Sequence, residues 1–365
     1  MLKALRRQAI AHSLFKPTTL RQAVERIGFV QADPIRAPAR AQDLILRHRV
    51  KDYRVGDLER HYERLGLEED RFYAHGFMPR STWRLLHPRR PRPLRTLEKR
   101  VLEIVARHKR VHPGDLEAYF GRERTINAWG GQSKATTHAL HFLHRHGFLR
   151  VAGREQGIRT YEAVSKSEEP LDPAERDRQI VLLVASILGP LSEKSLSASL
   201  GYLRVRGPAL KALRATVPTL IKSGELAHAT VNGLHYLWPA GRVVRKEPLE
   251  SVRFLSPFDP LVWDRSRFEQ FWGWPYRFEA YVPAPKRKLG YYAMPLLWRD
   301  DVIGWVNAST AGGRLTVEPG FQKAKPKEAA FRVQFEAEVA RLRTFLTKRT
   351  SPSEAARAGL PRGRY

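Results

Sequence analysis

Residues 134–163 read KATTHALHFLHRHGFLRVAGREQGIRTYEA, and this stretch decides the predicted fold. Its apolar spacing predicts a helix over Lys134–His146, which Gly147 is placed to end. The pattern then changes from helical spacing to alternation. It predicts two strands, Phe148–Ala152 and Thr160–Ala163, joined by a turn that contains two arginines.

Two shorter amphipathic segments, Leu97–His108 and Leu116–Phe120, precede this stretch. Three helices followed by a basic hairpin is the order of a winged helix-turn-helix unit. In such a unit the third helix enters a DNA groove and the hairpin contacts the backbone. Lys134, Arg154 and Arg159 are therefore candidate DNA-binding residues.

The same order recurs about 75 residues further along the chain, as a repeat of architecture without obvious sequence identity. Its hairpin turns at Asn232-Gly233, a strong signal for a tight turn. The predicted elements of this second unit are helices Ala174–Leu188, Ser192–Leu200 and Pro208–Ser223, and strands Leu226–Thr230 and Leu234–Leu237.

The chain after Ser256 favours an antiparallel sheet or small barrel, because short strand-like runs alternate with turn residues. A helix over Glu328–Leu346, apolar along one stripe, closes this part. The predicted strands are Arg277–Val282, Gly290–Trp298, Val302–Ala308 and Arg314–Val317.

Two linkers divide the chain, the basic, proline-rich run HPRRPRPLR at 87–95 and Ser165–Pro173. The predicted fold class is α+β, with tandem winged helix-turn-helix units followed by a C-terminal β-barrel-like domain. The predicted domains are a helical, winged-helix-like domain at 1–90, winged helices at 96–164 and 174–245, a β-barrel-like domain at 250–346, and a basic, disordered tail at 347–365.

Charge and cysteine content restrict the partners and the chemistry. The chain has 65 Lys and Arg against 37 Asp and Glu, a formal net charge of +28. Such an excess predicts a polyanionic partner, with nucleic acid as the leading candidate. No apolar run approaches the roughly 18 residues that a membrane span needs. The absence of cysteine excludes disulfides, thiol catalysis and cysteine-held metals.

Other motifs argue against cofactor chemistry. The chain has no phosphate-binding loop, no GxGxxG, no GxSxG and no metalloprotease helix, so we expect neither a cofactor nor a metal. His141 and His144 share a helix face, but a structural or DNA-facing role is favoured over metal binding. The N-terminus lacks a secretory signal pattern. We therefore expect a monomer that is cytoplasmic and associated with the nucleoid.

Gln31 and Asp33 form the candidate catalytic pair. Pro34 disfavours the helical region at Asp33, so this segment is predicted to be extended, with both side chains on one side. A carboxamide beside a carboxylate can position and deprotonate one water molecule. The alternative, which the local pattern alone favours, makes Asp33 the N-cap of a helix that begins at Pro34. The two interpretations are compatible.

Several cationic residues follow this pair. Arg40, Arg47 and Arg49 are candidates to receive an anionic backbone. His75 and Arg80 belong to the run FYAHGFMPRSTWRLL at 72–86, in which Ser81 is predicted to cap a helix. We expect His75 and Arg80 to bind the substrate or DNA. For His75 the alternative is a buried histidine with satisfied hydrogen bonds.

Four stretches together resemble the YcaQ-type crosslink-repair DNA glycosylases, winged-helix proteins that include the AlkZ branch. They occur in family order and span most of the chain. The four stretches are Gln31-Ala32-Asp33 with Arg40 downstream, AHGFMPRSTWRL from Ala74 to Leu85, SPFDPLVWDRSR from Ser256 to Arg267, and YVPAPKRKLGYYAMPLLW from Tyr281 to Trp298.

The resemblance implies three tandem winged helices and a C-terminal β-barrel around a basic channel. It also implies excision of N7-alkylated purines from double-stranded DNA, including guanines in interstrand crosslinks, without strand cleavage. The family's catalytic signature, Gln, an apolar residue, then Gln or Asp, falls on Gln31 and Asp33. One departure is in GWVNASTAGGR, where Trp305 and Asn307 occupy positions at which the family pattern leads us to expect charged residues.

A non-catalytic winged-helix DNA-binding protein or regulator is the alternative. Net charge and the repeated units support it equally well. The Gln31 and Asp33 pair discriminates between the two functions, because a regulator has no use for a pair that activates water.

Overall fold

The computed structural model of the protein describes residues 1–87, 93–121, 124–126, 132–164, 171–203, 210–242, 247–322 and 324–347. Most of the proline-rich linker, most of the second linker and the tail after Thr347 lie outside these ranges. The predicted helix start at Pro208 lies outside them as well.

The N-terminal segment combines helices with a small antiparallel sheet. Thr19 caps the helix Leu20–Ile27, since its hydroxyl accepts a hydrogen bond from the Gln22 amide. Five helices form most of its regular structure, and three short strands that the sequence did not predict pair in the order β1-β3-β2. The elements are α1 (Leu2–Ser13), α2 (Leu20–Ile27), β1 (Val30–Gln31), α3 (Ala41–Leu46), α4 (Asp57–Leu65), β2 (Leu67–Arg71), β3 (His75–Pro79) and α5 (Arg80–Leu86).

The next segment has the predicted order of three helices and a hairpin. Val101, Leu140 and Tyr161 are buried together in its core. The hairpin strands run further into the turn than predicted, so both arginines of the turn lie on strands. The elements are α6 (Thr96–Arg107), α7 (Glu117–Phe120), β4 (Arg124–Ile126), β5 (Gln132–Lys134), α8 (Ala135–Arg145), β6 (Leu149–Glu155) and β7 (Ile158–Ala163).

The third segment repeats this order. Asn232 and Gly233 both have positive φ angles, 53° and 75°, as the predicted tight turn requires. A short strand after the first helix completes a sheet of order β8-β10-β9. The elements are α9 (Pro173–Leu188), β8 (Leu191–Ser192), α10 (Glu193–Leu203), α11 (Leu210–Lys222), β9 (Leu226–Val231) and β10 (Leu234–Pro239).

The C-terminal segment is an antiparallel sheet of order β11-β12-β13-β14 that curls into a half-barrel. Within the described residues the two edge strands do not pair, so the sheet is open. The strand expected at Arg277–Val282 is wrong, because this stretch forms part of a loop. The elements are β11 (Val252–Phe254), α12 (Pro260–Trp263), α13 (Arg265–Trp272), a 3-10 turn (Ala284–Lys286), β12 (Met294–Trp298), β13 (Asp301–Ala311), β14 (Arg314–Phe321) and α14 (Ala329–Leu346).

The N-terminal segment packs against the three segments that follow it. Its apolar side chains belong to all three hydrophobic clusters of the described chain, shared with the second, third and C-terminal segments. Phe77 packs in the first cluster, Phe29 in the second and Leu5 in the third. The β1-β3-β2 sheet therefore lies where the other parts of the chain meet.

Candidate active site

The pairing of β1 with β3 fixes the backbone around the candidate catalytic pair. Gln31 lies opposite Gly76, and the amide of Ala32 donates a 2.9 Å hydrogen bond to the carbonyl oxygen of His75. A Cβ atom at Gly76 would lie 2.2 Å from the carbonyl oxygen of Val30. Only glycine allows the two strands to approach this closely.

Asp33 lies just after β1, in a turn. Its Oδ1 accepts a 2.9 Å hydrogen bond from the amide of Ile35. No helix begins at Pro34, since α3 starts only at Ala41. The expectation that Asp33 caps a helix was therefore wrong, although its carboxylate does accept a backbone N–H. The bond closes a turn and leaves the rest of the carboxylate available.

Gln31 does not line the same cleft as Asp33. Its side chain is buried, and its Oε1 has no hydrogen-bond partner within the described part of the chain. Asp33, in contrast, is half-buried and faces the cleft. The predicted pair is thus split into an acid at the surface of the cleft and an amide oxygen behind it.

The cleft has a volume of about 220 Å³ and lies between the N-terminal sheet and the β6–β7 hairpin. It brings together Asp33 and four other residues that the sequence singled out. The lining residues are Ala32, Asp33, Pro34, Arg40, Gln42, Glu59, Glu69, His75, Phe77, Arg154 and Arg159.

Three arginines and three carboxylates line this cleft, so its formal charges balance. Arg154 and Arg159 both donate to the carboxylate of Glu69, with Nη2–Oε1 distances of 2.6 Å. Arg40 forms an ion pair with Glu59. Asp33 is the third carboxylate, and it has no cationic partner among the residues that the structure describes.

The two acids nearest the hairpin have opposite pKa shifts. Burial raises the pKa of Asp33, and the hydrogen bond from Ile35 offsets part of that rise. Burial would also raise the pKa of Glu69, but the hydrogen bond with His75 and the charges of Arg159 and Arg154 lower it well below its ordinary value. Glu69 is therefore a fixed anion, and Asp33 is the more basic carboxylate.

His75 is at the surface of the cleft, with 36% of its side chain exposed. Its Nε2 lies 2.9 Å from Oε1 of Glu69 and 2.7 Å from Nη2 of Arg159. The ring nitrogen donates to the first or accepts from the second, according to the tautomer. The alternative of a histidine sealed in the core is wrong.

The remaining candidates lie elsewhere. Arg80 donates to Glu68 at 2.7 Å and stacks over Trp83, outside the lining of the cleft. Lys134 precedes α8 and forms an ion pair with Glu117. Neither side chain reaches the residues around Asp33.

Arg47 and Arg49 are structural residues, so the expectation that they receive DNA was wrong. Arg49 is fully buried and binds both oxygens of Asp259, at 2.8 and 2.9 Å. The Arg47 side chain is 3% exposed and forms an ion pair with the buried Glu338. Both arginines tie the N-terminal segment to the C-terminal one.

The acids that bind the arginines of the cleft, Glu59 and Glu69, were not predicted from the sequence. A signal was present in β2, where Glu68, Glu69 and Asp70 are three consecutive acids in a strongly basic chain. All three are buried, which requires cationic partners. Arg80 and Arg150 bind Glu68, and His87 binds Asp70 at 2.7 Å.

The described ranges contain no group of three or more histidine or acidic side chains arranged to hold a metal ion. His144 is buried with its Nε2 2.9 Å from the carbonyl oxygen of Glu69, and burial lowers its pKa to about 4. Among the described helices, none is long and apolar enough to cross a membrane.

An excess of positive charge, and an arginine-lined cleft with one acid that has no cationic partner among the described residues, are features suited to a protein that acts on DNA. The family comparison is more specific. A protein-family model described as DNA glycosylase AlkZ-like matches residues 24–345. The chain belongs to this family, and the resemblance seen in its sequence is confirmed. No solved structure matches the chain. Family membership supports a DNA repair glycosylase with DNA as its substrate.

Proposed function

We propose that the protein is a monofunctional DNA glycosylase that hydrolyses the N-glycosidic bond of N7-alkylated purines in double-stranded DNA. The observation that carries the proposal is the state of Asp33. It is the one carboxylate of the cleft without a cationic partner among the described residues, and burial raises its pKa. Such a carboxylate is suited to act as a general base.

The chemistry follows from the charge of the substrate. An N7-alkylated guanine is already cationic, so its bond to C1′ breaks with little acid assistance. The electron pair of the C1′–N9 bond passes to the base and neutralises it. Asp33 stabilises the positive charge that develops on the sugar and takes a proton from water, whose oxygen bonds to C1′. The products are a neutral alkylated purine and an abasic site.

Gln31 supports this reaction from behind the cleft. Its Oε1 is a buried acceptor without a partner in the described chain, one residue removed from Ala32 in the cleft lining. A buried acceptor without a hydrogen-bond partner destabilises the fold, so its presence requires an explanation. We assign it a hydrogen bond to the water that Asp33 deprotonates, formed when the Gln31 side chain turns from its buried position toward the cleft as DNA binds.

The balanced charges of the cleft suit a cationic base. Because Glu59 and Glu69 neutralise the nearby arginines, a cationic purine is not repelled as it approaches Asp33. Phosphates then require other cations. We assign DNA backbone binding to the segments α6–β7 and α9–β10, which we interpret as winged helix units within the domain boundaries predicted above.

The shape of the cleft favours crosslinked as well as free adducts. Its volume of about 220 Å³ is below the roughly 300 to 1,000 Å³ of pockets that enclose a ligand. Most glycosylases flip the base into such a pocket. A guanine tied to the opposite strand cannot be extruded in this way, whereas a shallow cleft can act on it in place.

Two further features complete the proposal. No lysine lines the described cleft, so the residues present offer no amine for a Schiff base, and we propose hydrolysis without strand cleavage. We also propose that the protein acts as a monomer.

The test is incubation of the protein with duplex DNA that carries one N7-methylguanine. Heat and alkali then convert abasic sites to strand breaks, and an aliquot without this treatment reports lyase activity. We expect breaks only after the treatment. Binding of the DNA without release of the base would instead support the non-catalytic DNA-binding protein.

A further inference from the structure

The loop that joins α13 to β12 presents an exposed aromatic ring. We call residues 277–291 the tyrosine loop. Tyr281 is 78% exposed, the most exposed of the large apolar side chains in this part of the chain. Lys286 and Lys288 on the same loop are also exposed. An exposed aromatic ring beside exposed lysines matches the requirements for nucleic acid, a base to stack on and a phosphate to neutralise.

The tyrosine loop is held in shape by an acid that faces its own backbone. Oε2 of Glu279 accepts hydrogen bonds from the amides of Lys288 and Leu289, at 2.9 and 2.8 Å. In the reverse direction, Nε of Arg287 donates to the carbonyl oxygen of Val282 at 2.7 Å. These hydrogen bonds join the two sides of the loop, so the position of Tyr281 is fixed before a ligand binds.

The half-barrel anchors the same loop. Nδ2 of Asn307 on β13 donates to the carbonyl oxygen of Leu289 at 2.7 Å. Gly290 has a φ of +114°, and a Cβ atom there would lie 2.6 Å from the Asn307 amide. Asn307, which departs from the expected charged residue, therefore serves as a neutral anchor of the tyrosine loop.

The loop lies beside Asp33. The rings of Phe278 and Tyr281 are 6.1 Å apart at 82°, an edge-to-face contact, and Tyr281 stays largely exposed. Phe278 also contacts Tyr292 at 5.2 Å. Phe278 packs against the same hydrophobic cluster as Ala32 and Ile35, which flank Asp33 in the sequence. In agreement with this placement, the Asp33 carboxylate adds to the effect of burial in raising the pKa of Tyr281 and of Tyr292.

We propose that Tyr281 is a stacking site for the cationic purine at the mouth of the Asp33 cleft. This inference rests on the proposed function and deepens it. A tyrosine face attracts a cation through its quadrupole, so it favours an N7-alkylated purine over a neutral one. Tyr281 thereby selects the base that Asp33 acts on. Tyr291 is less suited, because the guanidinium of Arg287 lies 5.0 Å from the centre of its ring.

The test measures preference, and not turnover, in an Asp33→Asn background that keeps the DNA intact. Affinity is compared for duplexes with one N7-methylguanine and with guanine at the same position. We expect Tyr281→Leu to lose about 5- to 10-fold of the preference for the methylated duplex and Tyr281→Phe to retain it. Tyr291→Leu is the matched control, since Tyr291 is 44% exposed on the same loop but has the Arg287 guanidinium over its ring.

Two results overturn the stacking site: an unchanged preference in Tyr281→Leu, or no preference in the Asp33→Asn background itself. Should the leucine variant fail to fold, Tyr281→Gln provides the same comparison. The failure of the proposed function is a separate result, because it shows as no release of the base by the parent protein, in which case the DNA stays intact and the affinity comparison still reports stacking.

Discussion

Oε1 of Glu69 lies 2.9 Å from Nε2 of His75 on the neighbouring strand, and the same carboxylate receives both arginines of the β6–β7 hairpin. The Glu69 side chain is 1% exposed. One buried acid therefore organises the basic half of the cleft and locks the hairpin against the N-terminal sheet. Arg154 and Arg159 belong to the cleft and are not free cations on an outlying wing.

Replacing Glu69 by Gln is expected to destabilise the fold by about 1 to 3 kcal/mol, because two part-exposed arginines lose the buried carboxylate that binds them both. Denaturant unfolding measures the change. Glu155→Gln on the same hairpin is the control, since that side chain is exposed. A Glu69→Gln variant as stable as the parent would contradict the organising role.

The lowered pKa of Glu69 predicts that the stability of the fold depends on pH. The folded-state pKa of Glu69 is lowered, so its contribution is present above the unfolded pKa of roughly 4.3 and is lost as the pH falls below it. Glu69→Gln should therefore flatten the acid limb of the stability curve. An unchanged acid limb would show that other groups dominate it.

His75→Ala is expected to slow base release by about 10-fold, less than the loss of the base Asp33, without unfolding the protein. The reason is that His75 is part-exposed in the cleft and Glu69 keeps its two arginine partners. Single-turnover release and a melting curve give the two readouts. Normal release by a folded variant would remove His75 from the site.

Arg49→Ala is expected to cost about 3 to 5 kcal/mol of stability, because it leaves the buried carboxylate of Asp259 unpaired. Arg40→Ala is the comparison. Its pair with Glu59 is part-exposed, so its loss should cost at most about 1 kcal/mol. Equal losses of stability in the two variants would contradict the assignment of Arg49 as a structural residue and of Arg40 as a residue of the cleft.

DNA binding is expected to weaken by at least about 100-fold between about 50 and 200 mM salt, largely independent of sequence. The net charge of +28 and counterion release from phosphates give the reason. Titration of labelled duplexes at several salt concentrations measures the slope. Affinity that holds constant over this range would exclude an interface dominated by phosphate contacts.

Much of the fold was predictable because periodicity records burial. The three helices and hairpin around 134–163 and their repeat appear in the predicted order. The β2 strand was missed because its three acids lack strand propensity and are buried only through partners distant in sequence. Arg277–Val282 alternates like a strand, but Glu279 binds backbone amides of the same loop, so the segment does not join the sheet.

The site was predictable by residue type and less so by geometry. The cleft beside Asp33 is lined by four residues that were selected from the sequence for their chemistry: Arg40, His75, Arg154 and Arg159. The orientation of the Gln31 side chain was not predicted. Strand β1 ends at Gln31, so the alternation of side chains between the two faces of a strand does not continue to Asp33. Arg47 and Arg49 show the limit of charge as a guide, since a basic chain also uses arginine to bind buried acids.

The rate of base release is expected to depend on pH through the carboxylate of Asp33. Asp33 must be ionised to accept a proton, and burial raises its pKa. The rate should therefore fall with decreasing pH at a higher value than the roughly 3.9 of an ordinary aspartate. Because folding disfavours the charged form, Asp33→Asn should not reduce stability at neutral pH.

The most direct test of the account is single-turnover release of N7-methylguanine by Asp33→Asn. Asp172→Asn is the matched control, because Asp172 also accepts a backbone N–H but caps α9 away from the cleft. We predict that Asp33→Asn binds DNA like the parent and releases the base at least about 100-fold more slowly, while Asp172→Asn keeps the parental rate. Release by Asp33→Asn at the parental rate would contradict the assignment of Asp33 as the catalytic base.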